Sequence, residues 1–317
     1  MRKTQALRLL SFVGAAALAG SAHAQSGITI YGYLDLAVVK ESEQPVRLER
    51  GNNNLLGFKG SEDLGGGLSA IFNLQTRMKT DTGENERGIF WQGESTVGLA
   101  SDTWGRLRLG RALSPLWQQK WPFDPWYDSG MLGSVGAYTS GRYATDGSGA
   151  FGFANFARMP NSVFYDTPSF GGFAVHAATQ IEKEAGMPDR IGSLAATYRS
   201  GPVKTLLAYE RNSAEDSIWL LGASYEIAQW TLMGTLAQDR SEAMDDKERN
   251  VELGVAYTAG VHMLRFGVGR NQDTRAQKFA AGYNHALSKR TNLYADLYRE
   301  KIVDHVNGFA AGINHSF

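Results

Sequence analysis

The feature that most constrains this chain is a two-residue rhythm of apolar and polar side chains, which recurs from about residue 28 to the C-terminus. In 250–258 (NVELGVAYT), Val251, Leu253, Val255 and Tyr257 fall on one face and Glu252, Gly254, Ala256 and Thr258 on the other. In 291–300 (TNLYADLYRE), Leu293, Ala295 and Leu297 oppose Tyr294, Asp296 and Tyr298. Successive strand side chains point to opposite faces, so this period predicts strands with one apolar and one polar face. Sixteen segments carry it: 28–39, 53–62, 68–77, 90–101, 106–112, 161–167, 173–182, 191–199, 203–211, 217–227, 229–240, 250–259, 261–270, 276–287, 291–301 and 307–317. All eight prolines fall outside these segments, as a fully used hydrogen-bond ladder requires.

The connections have a rhythm of their own. Tight ones such as 63–67 (DLGGG), 102–105 (DTWG), 200–202 (SGP) and 288–290 (SKR) alternate with longer ones such as 40–52, 78–89 and 241–249. A soluble sandwich has no reason to put its long loops at one end. A transmembrane barrel has short turns on one side and long loops on the other, with strands of about ten residues. In lipid every backbone group must be paired, so the sheet must close. The expected fold is all-β: a sixteen-stranded antiparallel transmembrane β-barrel, wide enough for an aqueous channel. Trp91 and Trp219 beside long loops, and Trp104 and Trp230 at tight turns, fit two interfacial aromatic girdles.

Thirty-two basic and 32 acidic residues balance, which excludes a polybasic nucleic-acid binder. There is no Cys, so neither a disulfide framework nor a thiolate zinc site exists. Residues 1–24 have the layout of a signal peptide: basic Arg2, Lys3 and Arg8, an apolar run over 9–20, and the small-x-small sequence Ala22-His23-Ala24. The mature domain is expected over 25–317, exported and with three more acids than bases. One connection stands apart. Residues 113–160 span 48 positions rich in Gly and aromatics, a length that marks a functional loop. Its apolar content needs a surface to pack on, and the inside of the barrel wall supplies one.

Alternation places Lys59, Arg77, Arg106, Arg108, Arg265 and Lys278 inward, together with Asp35, Glu252, Asp296 and Glu300. Lys59, Arg77, Arg106 and Arg108 precede the long loop and are the candidate constriction wall. Asp124 and Asp128, four residues apart in the loop, are the candidate acids facing them. No HExxH, GxSxG or P-loop occurs, so no catalytic residue, cofactor or metal is expected. The acidic run Asp245, Asp246 and Glu248 reads as a solvated loop rather than a cation site. A barrel enzyme and a soluble exported ligand-binding β protein are the alternative classes.

Several stretches resemble the Gram-negative general porins. ITIYGYLDLAVV (28–39) looks like their first strand, and LLGFKGSEDLGGGLSAIFNLQ (55–75) like their next hairpin. STVGLASDTWGRLRLGRA (95–112) and NSVFYDTPSFGGF (161–173) resemble the stretches entering and leaving the family's constriction loop. LSKRTNLYADLY (287–298) and GINHSF (312–317) resemble the last two strands. The resemblance implies a homotrimer in outer-membrane lipid with the third loop folded into the lumen. It also implies passive diffusion of small hydrophilic solutes and ions, and a terminal Phe317 read by the barrel-insertion machinery. Leu55 and Gly93 stand where the family often has arginines, which implies a weaker anion preference than in a basic-walled relative.

Overall fold

The structure, a computed structural model, describes residues 27–86, 88–127, 132–141 and 157–317; the expected signal peptide lies outside them. The chain runs through β1 (Gly27–Glu41), β2 (Arg47–Glu49), β3 (Leu55–Gly65), β4 (Leu68–Arg77), β5 (Glu94–Ser101) and β6 (Gly105–Leu113). A short helix α1 (Pro115–Lys120) follows in the long connection. Then come β7 (Arg158–Asp166), β8 (Phe173–Gln180), β9 (Gly192–Ser200), β10 (Val203–Arg211), β11 (Ser217–Ile227) and β12 (Trp230–Ser241). The last five are β13 (Asp246–Ala259), β14 (His262–Asn271), β15 (Gln277–Ala286), β16 (Thr291–Lys301) and β17 (His305–Ser316).

These seventeen strands form one sheet. β2 pairs with only three residues of β1, within the first long connection, which leaves sixteen strands in the wall. Neighbours in the wall pair antiparallel, and β1 pairs with β17 from Tyr33↔Ser316 to Glu41↔Gly308, closing the barrel. The seam runs to the last residue. Phe317 and Gly32 exchange backbone hydrogen bonds of 3.1 and 3.0 Å, and the Phe317 ring fills the space a side chain on Gly32 would take.

Directly paired residues share a face, so the register fixes both surfaces. Leu207, Leu221, Leu236, Leu253, Phe266 and Leu297 are exposed on the outside. Asp35, Arg108, Glu252, Lys278 and Asp296 are buried on the inside. Glu252, Gly269, Lys278 and Glu300 make one register row across β13 to β16. Aromatic pairs gather at both ends of the outer face: Trp230–Tyr257 at 4.6 Å by the tight turns and Tyr209–Trp219 at 4.5 Å by the longer loops.

Three details differ from the sequence reading. β7 starts at Arg158, so Pro160 is inside a strand after all. It is tolerated because the β6–β7 register shifts between Gly110 and Ala112. Pro160 and Asn161, the latter with a φ of 49°, occupy that bulge, where no ladder N–H is required. β13 starts at Asp246, which shortens the expected loop 241–249 and puts Glu248 in the wall, where it accepts from Asn271 Nδ2 at 2.6 Å. The inner face is also not uniformly polar: Leu206, Ile218 and Leu220 are fully buried on it. Their cover is the long connection.

Candidate functional site

The connection between β6 and β7 begins as a helix for local reasons. Ser114 is the N-cap, its side chain accepting from Trp117 N at 3.2 Å, and Pro115 opens the first turn, where a missing N–H costs nothing. Leu116 N donates to Ser193 Oγ of β9 at 3.2 Å. Leu116 and, after a 3₁₀ turn over Trp121–Phe123, Phe123 bury against Ala195, Leu206, Ala208, Ile218 and Leu220 of β9, β10 and β11. Burial of each such side chain is worth about 1.5–3 kcal/mol.

Further along, the segment lies over glycines. A Cβ on Gly222 would meet Phe123 at 3.1 Å, one on Gly254 would overlap Pro125, and one on Gly267 would meet Val135 and Trp126 at 2.8 and 2.9 Å. A Cβ on Gly269 would meet Tyr138 at 2.7 Å. The buried faces of β11, β13 and β14 thus carry a lane without side chains where the loop approaches the wall.

Polar contacts complete the attachment. Trp126 Nε1 donates to Asp296 Oδ1 at 2.9 Å, and Arg265 Nη2 reaches the same oxygen at 3.2 Å while its guanidinium lies 5.2 Å from the Trp126 ring. Tyr138 Oη donates to Glu300 Oε1 at 3.0 Å. Thr139 and Thr235 hydroxyls donate to Glu252 Oε2 at 3.0 and 2.7 Å. Lys278 Nζ stands 4.5 Å from the Tyr298 ring. Beyond these, Asp35 accepts from Tyr294 Oη at 2.6 Å and from Gly51 N at 3.1 Å.

The arc from β3 to β8 is different. Two cavities, of about 440 and 740 Å³, lie along it and share Ala100, Arg106 and Gln118. Lys59 and Arg106 are exposed there, Lys59 lying 5.2 Å from the Tyr31 ring. Arg108 is held between Glu94 at 3.0 Å and Asp166 at 3.3 Å, and His176 Nδ1 is 2.8 Å from the other Asp166 oxygen. Across the cavities α1 presents Gln118 and Gln119. The arrangement is a polar space, large enough for water, between a charged wall and the helix.

The family model for Gram-negative porins matches residues 11–304. This chain is a Gram-negative porin. It is 32% identical to outer membrane porin protein 32 of Delftia acidovorans, over 89% of this chain and 86% of the relative. It is 25% identical to an outer membrane porin protein of Bordetella pertussis, over 93% of each. Among solved structures, the anion-selective porin from Comamonas acidovorans superimposes with a TM-score of 0.78 at 25% identity, covering 92% of this chain and all of that one. The porin is a β-barrel of the outer membrane, crossing it with strands.

Within this porin the sequence candidates separate into groups. Lys59, Arg106 and Arg108 come together on the cavity wall. Arg77 does not join them: it lines neither cavity, is buried at the far end of β4 opposite Leu55, and donates from Nη1 to Asn53 O at 3.2 Å. Asp35, Arg265, Lys278 and Asp296 lie on the opposite arc, enclosed by the loop and its neighbours. Asp124 does not face Lys59 or the arginines: it is 3% exposed, and its carboxylate accepts from Trp126 N at 3.0 Å, Gly136 N at 3.3 Å and the Ser134 hydroxyl. It braces the loop internally. Asp128 lies outside the described residues.

Sequence reasoning missed Glu94, Asp166 and His176 of the wall and Gln118 and Gln119 of the helix. The first three were accessible to the same alternation count, since Glu94 opposes Gln75 and Asp166 opposes both Arg106 and His176. The glutamines carried no signal, because their exposure depends on which side of α1 docks. Arg158, at the start of β7, donates from Nε to Gly93 O at 3.1 Å.

Proposed function

We propose that this porin forms a water-filled channel for passive diffusion of small hydrophilic solutes and ions, narrowed by the connection that follows β6 and weakly selective for anions. The observation that carries the reading is the placement of Lys59 and Arg106, both exposed to the cavities, opposite neutral Gln118 and Gln119. Arg108 is paired with Glu94 and Asp166, whereas Lys59 and Arg106 are exposed; Asp63 and Asp102, beside the tight turns, also line the cavities, so the preference is expected to be modest. Fixed charge facing the path sets ion preference. The likeness to a solved anion-selective porin supports the sign.

The test is a reversal potential across a planar bilayer under a salt gradient. The parent channel is expected to favour anions, and Lys59→Gln with Arg106→Gln to move the potential towards cations. A cation-selective parent, or no movement, overturns the reading. The functional unit is proposed to be a homotrimer, visible as a band that resists dissociation in detergent until heated. Phe317, whose backbone closes the seam, is proposed as the mark read by the insertion machinery. Its deletion is expected to leave unfolded monomer in the periplasm, and normal yield in the outer membrane would refute that role.

A further inference from the structure

Away from the channel, on the outer face by the tight turns, three donor atoms converge. His262 opens β14 and His285 lies near the end of β15; they are register partners, so both project from the same face. Their Nδ1 atoms are 3.4 Å apart. Tyr283, two residues before His285 on that face, places its hydroxyl 2.7 Å from His262 Nδ1 and 3.4 Å from His285 Nδ1. We infer that His262, His285 and Tyr283 form a binding site for a divalent transition-metal ion of the zinc, copper and nickel class.

The distances carry the argument. Two nitrogens bound to one tetrahedral zinc at about 2.0–2.1 Å stand about 3.3–3.4 Å apart, so the imidazole pair already has the spacing of two ligands on one ion. Without an ion, one Nδ1–H can donate to the other Nδ1, and the Tyr283 hydroxyl joins that network. A cation would take the place of the shared proton, with both rings presenting their Nδ1 lone pairs to it. The cross-strand pairing fixes both Cα positions, so little order has to be created on binding. The register partners next along the sheet, Ala259 on one side and Leu293 on the other, carry no charge that would repel a cation. His262 and Tyr283 are exposed, which leaves room for water in the remaining coordination positions. Imidazole and phenol donors select zinc, copper or nickel over magnesium and calcium, which prefer all-oxygen sites.

The site is independent of the channel reading, and its test measures binding rather than conductance. Untagged folded protein in detergent is titrated with Zn²⁺ against a chromogenic chelator, with millimolar Mg²⁺ present. One ion per chain is expected. His262→Ala and His285→Ala should each weaken it by more than about tenfold, since even partners outside the ligand set are worth about 10–100-fold in metal affinity. Tyr283→Phe should weaken it less. His315→Ala, on β17 and hydrogen-bonded to Thr291 at 2.9 Å, should leave it unchanged. With Cu²⁺, electron paramagnetic resonance should show two coordinated nitrogens in the parent and one in each His262 or His285 variant. Heat-modified electrophoretic mobility checks that the variants remain folded. Parental affinity in both His→Ala variants, or equal loss on His315→Ala, overturns the site.

Discussion

Arg106 and Arg265 both point inward from strands of one sheet, yet they meet different surroundings. Arg106 is exposed beside a cavity, with Gln118 across from it. Arg265 is 8% exposed, paired with Asp296 and covered by the Trp126 ring. The alternation that places them is identical. What separates the arcs is the loop, and what decides where the loop lies is the pattern of small and apolar side chains on the wall. Gly254, Gly267 and Gly269 leave space, and Leu206, Ile218 and Leu220 offer an apolar seat. A charged inward residue therefore has two settings in such a barrel. On the open arc its charge faces the cavities; under the loop it fastens the loop.

That distinction is open to measurement. The largest effect is expected under the loop: Asp296→Ala leaves Arg265 and the Trp126 indole N–H without their acceptor, and breaking a buried pair in this way costs about 3–5 kcal/mol. Chaotrope unfolding in micelles reads this directly, and a loss like that of an exposed site would erase the contrast between the arcs. Leu116→Ala tests the apolar seat. It should cost about 2–5 kcal/mol through the cavity it leaves against β9 and β10, and raise single-channel conductance as the helix loosens. Unchanged stability would show that the seat does not hold the loop. The smallest stability effect, within about 0.5 kcal/mol, is expected for Gln118→Glu on the open side, as for other exposed substitutions. Its signature is electrical instead: the reversal potential should move towards cations, and a fixed potential would mean that Gln118 does not face the conducting path.

The strands were legible because period two is set by backbone geometry, and a closed barrel enforces it on every segment. β10, β11 and β16 fall on the residues that the alternation picks out. Pro160 was misplaced because a bulge removes the hydrogen-bond demand that normally bars proline, and bulges leave little trace in a hydrophobic pattern. The site was legible only in part. Lys59, Arg106 and Arg108 follow from the count along β3 and β6, which needs no knowledge of the loop. Asp124 could not be placed from its neighbours, because its partners Ser134 and Gly136 return to it only after the chain has folded back. Nor did the buried Leu206 and Ile218 announce an inner apolar patch. Alternation puts them on the face opposite the outward Leu207 and Trp219, but an apolar residue on both faces leaves the polarity of the inner one unread, and only burial under the loop accounts for it.

The seam between β1 and β17 also sets the order in which this barrel can be completed. Tyr33 pairs with Ser316 and Gly32 with Phe317, so β1 finds one of its partners only when β17, the last strand of the wall in chain order, arrives. Contacts of such sequence separation are slow to form, because the whole intervening chain must be ordered before they are rewarded. Until then the unfinished sheet has two bare edges, each able to template pairing with another chain. Closure is therefore a late, near-simultaneous event, and the interval before it is when the polypeptide is most vulnerable to association with its own copies.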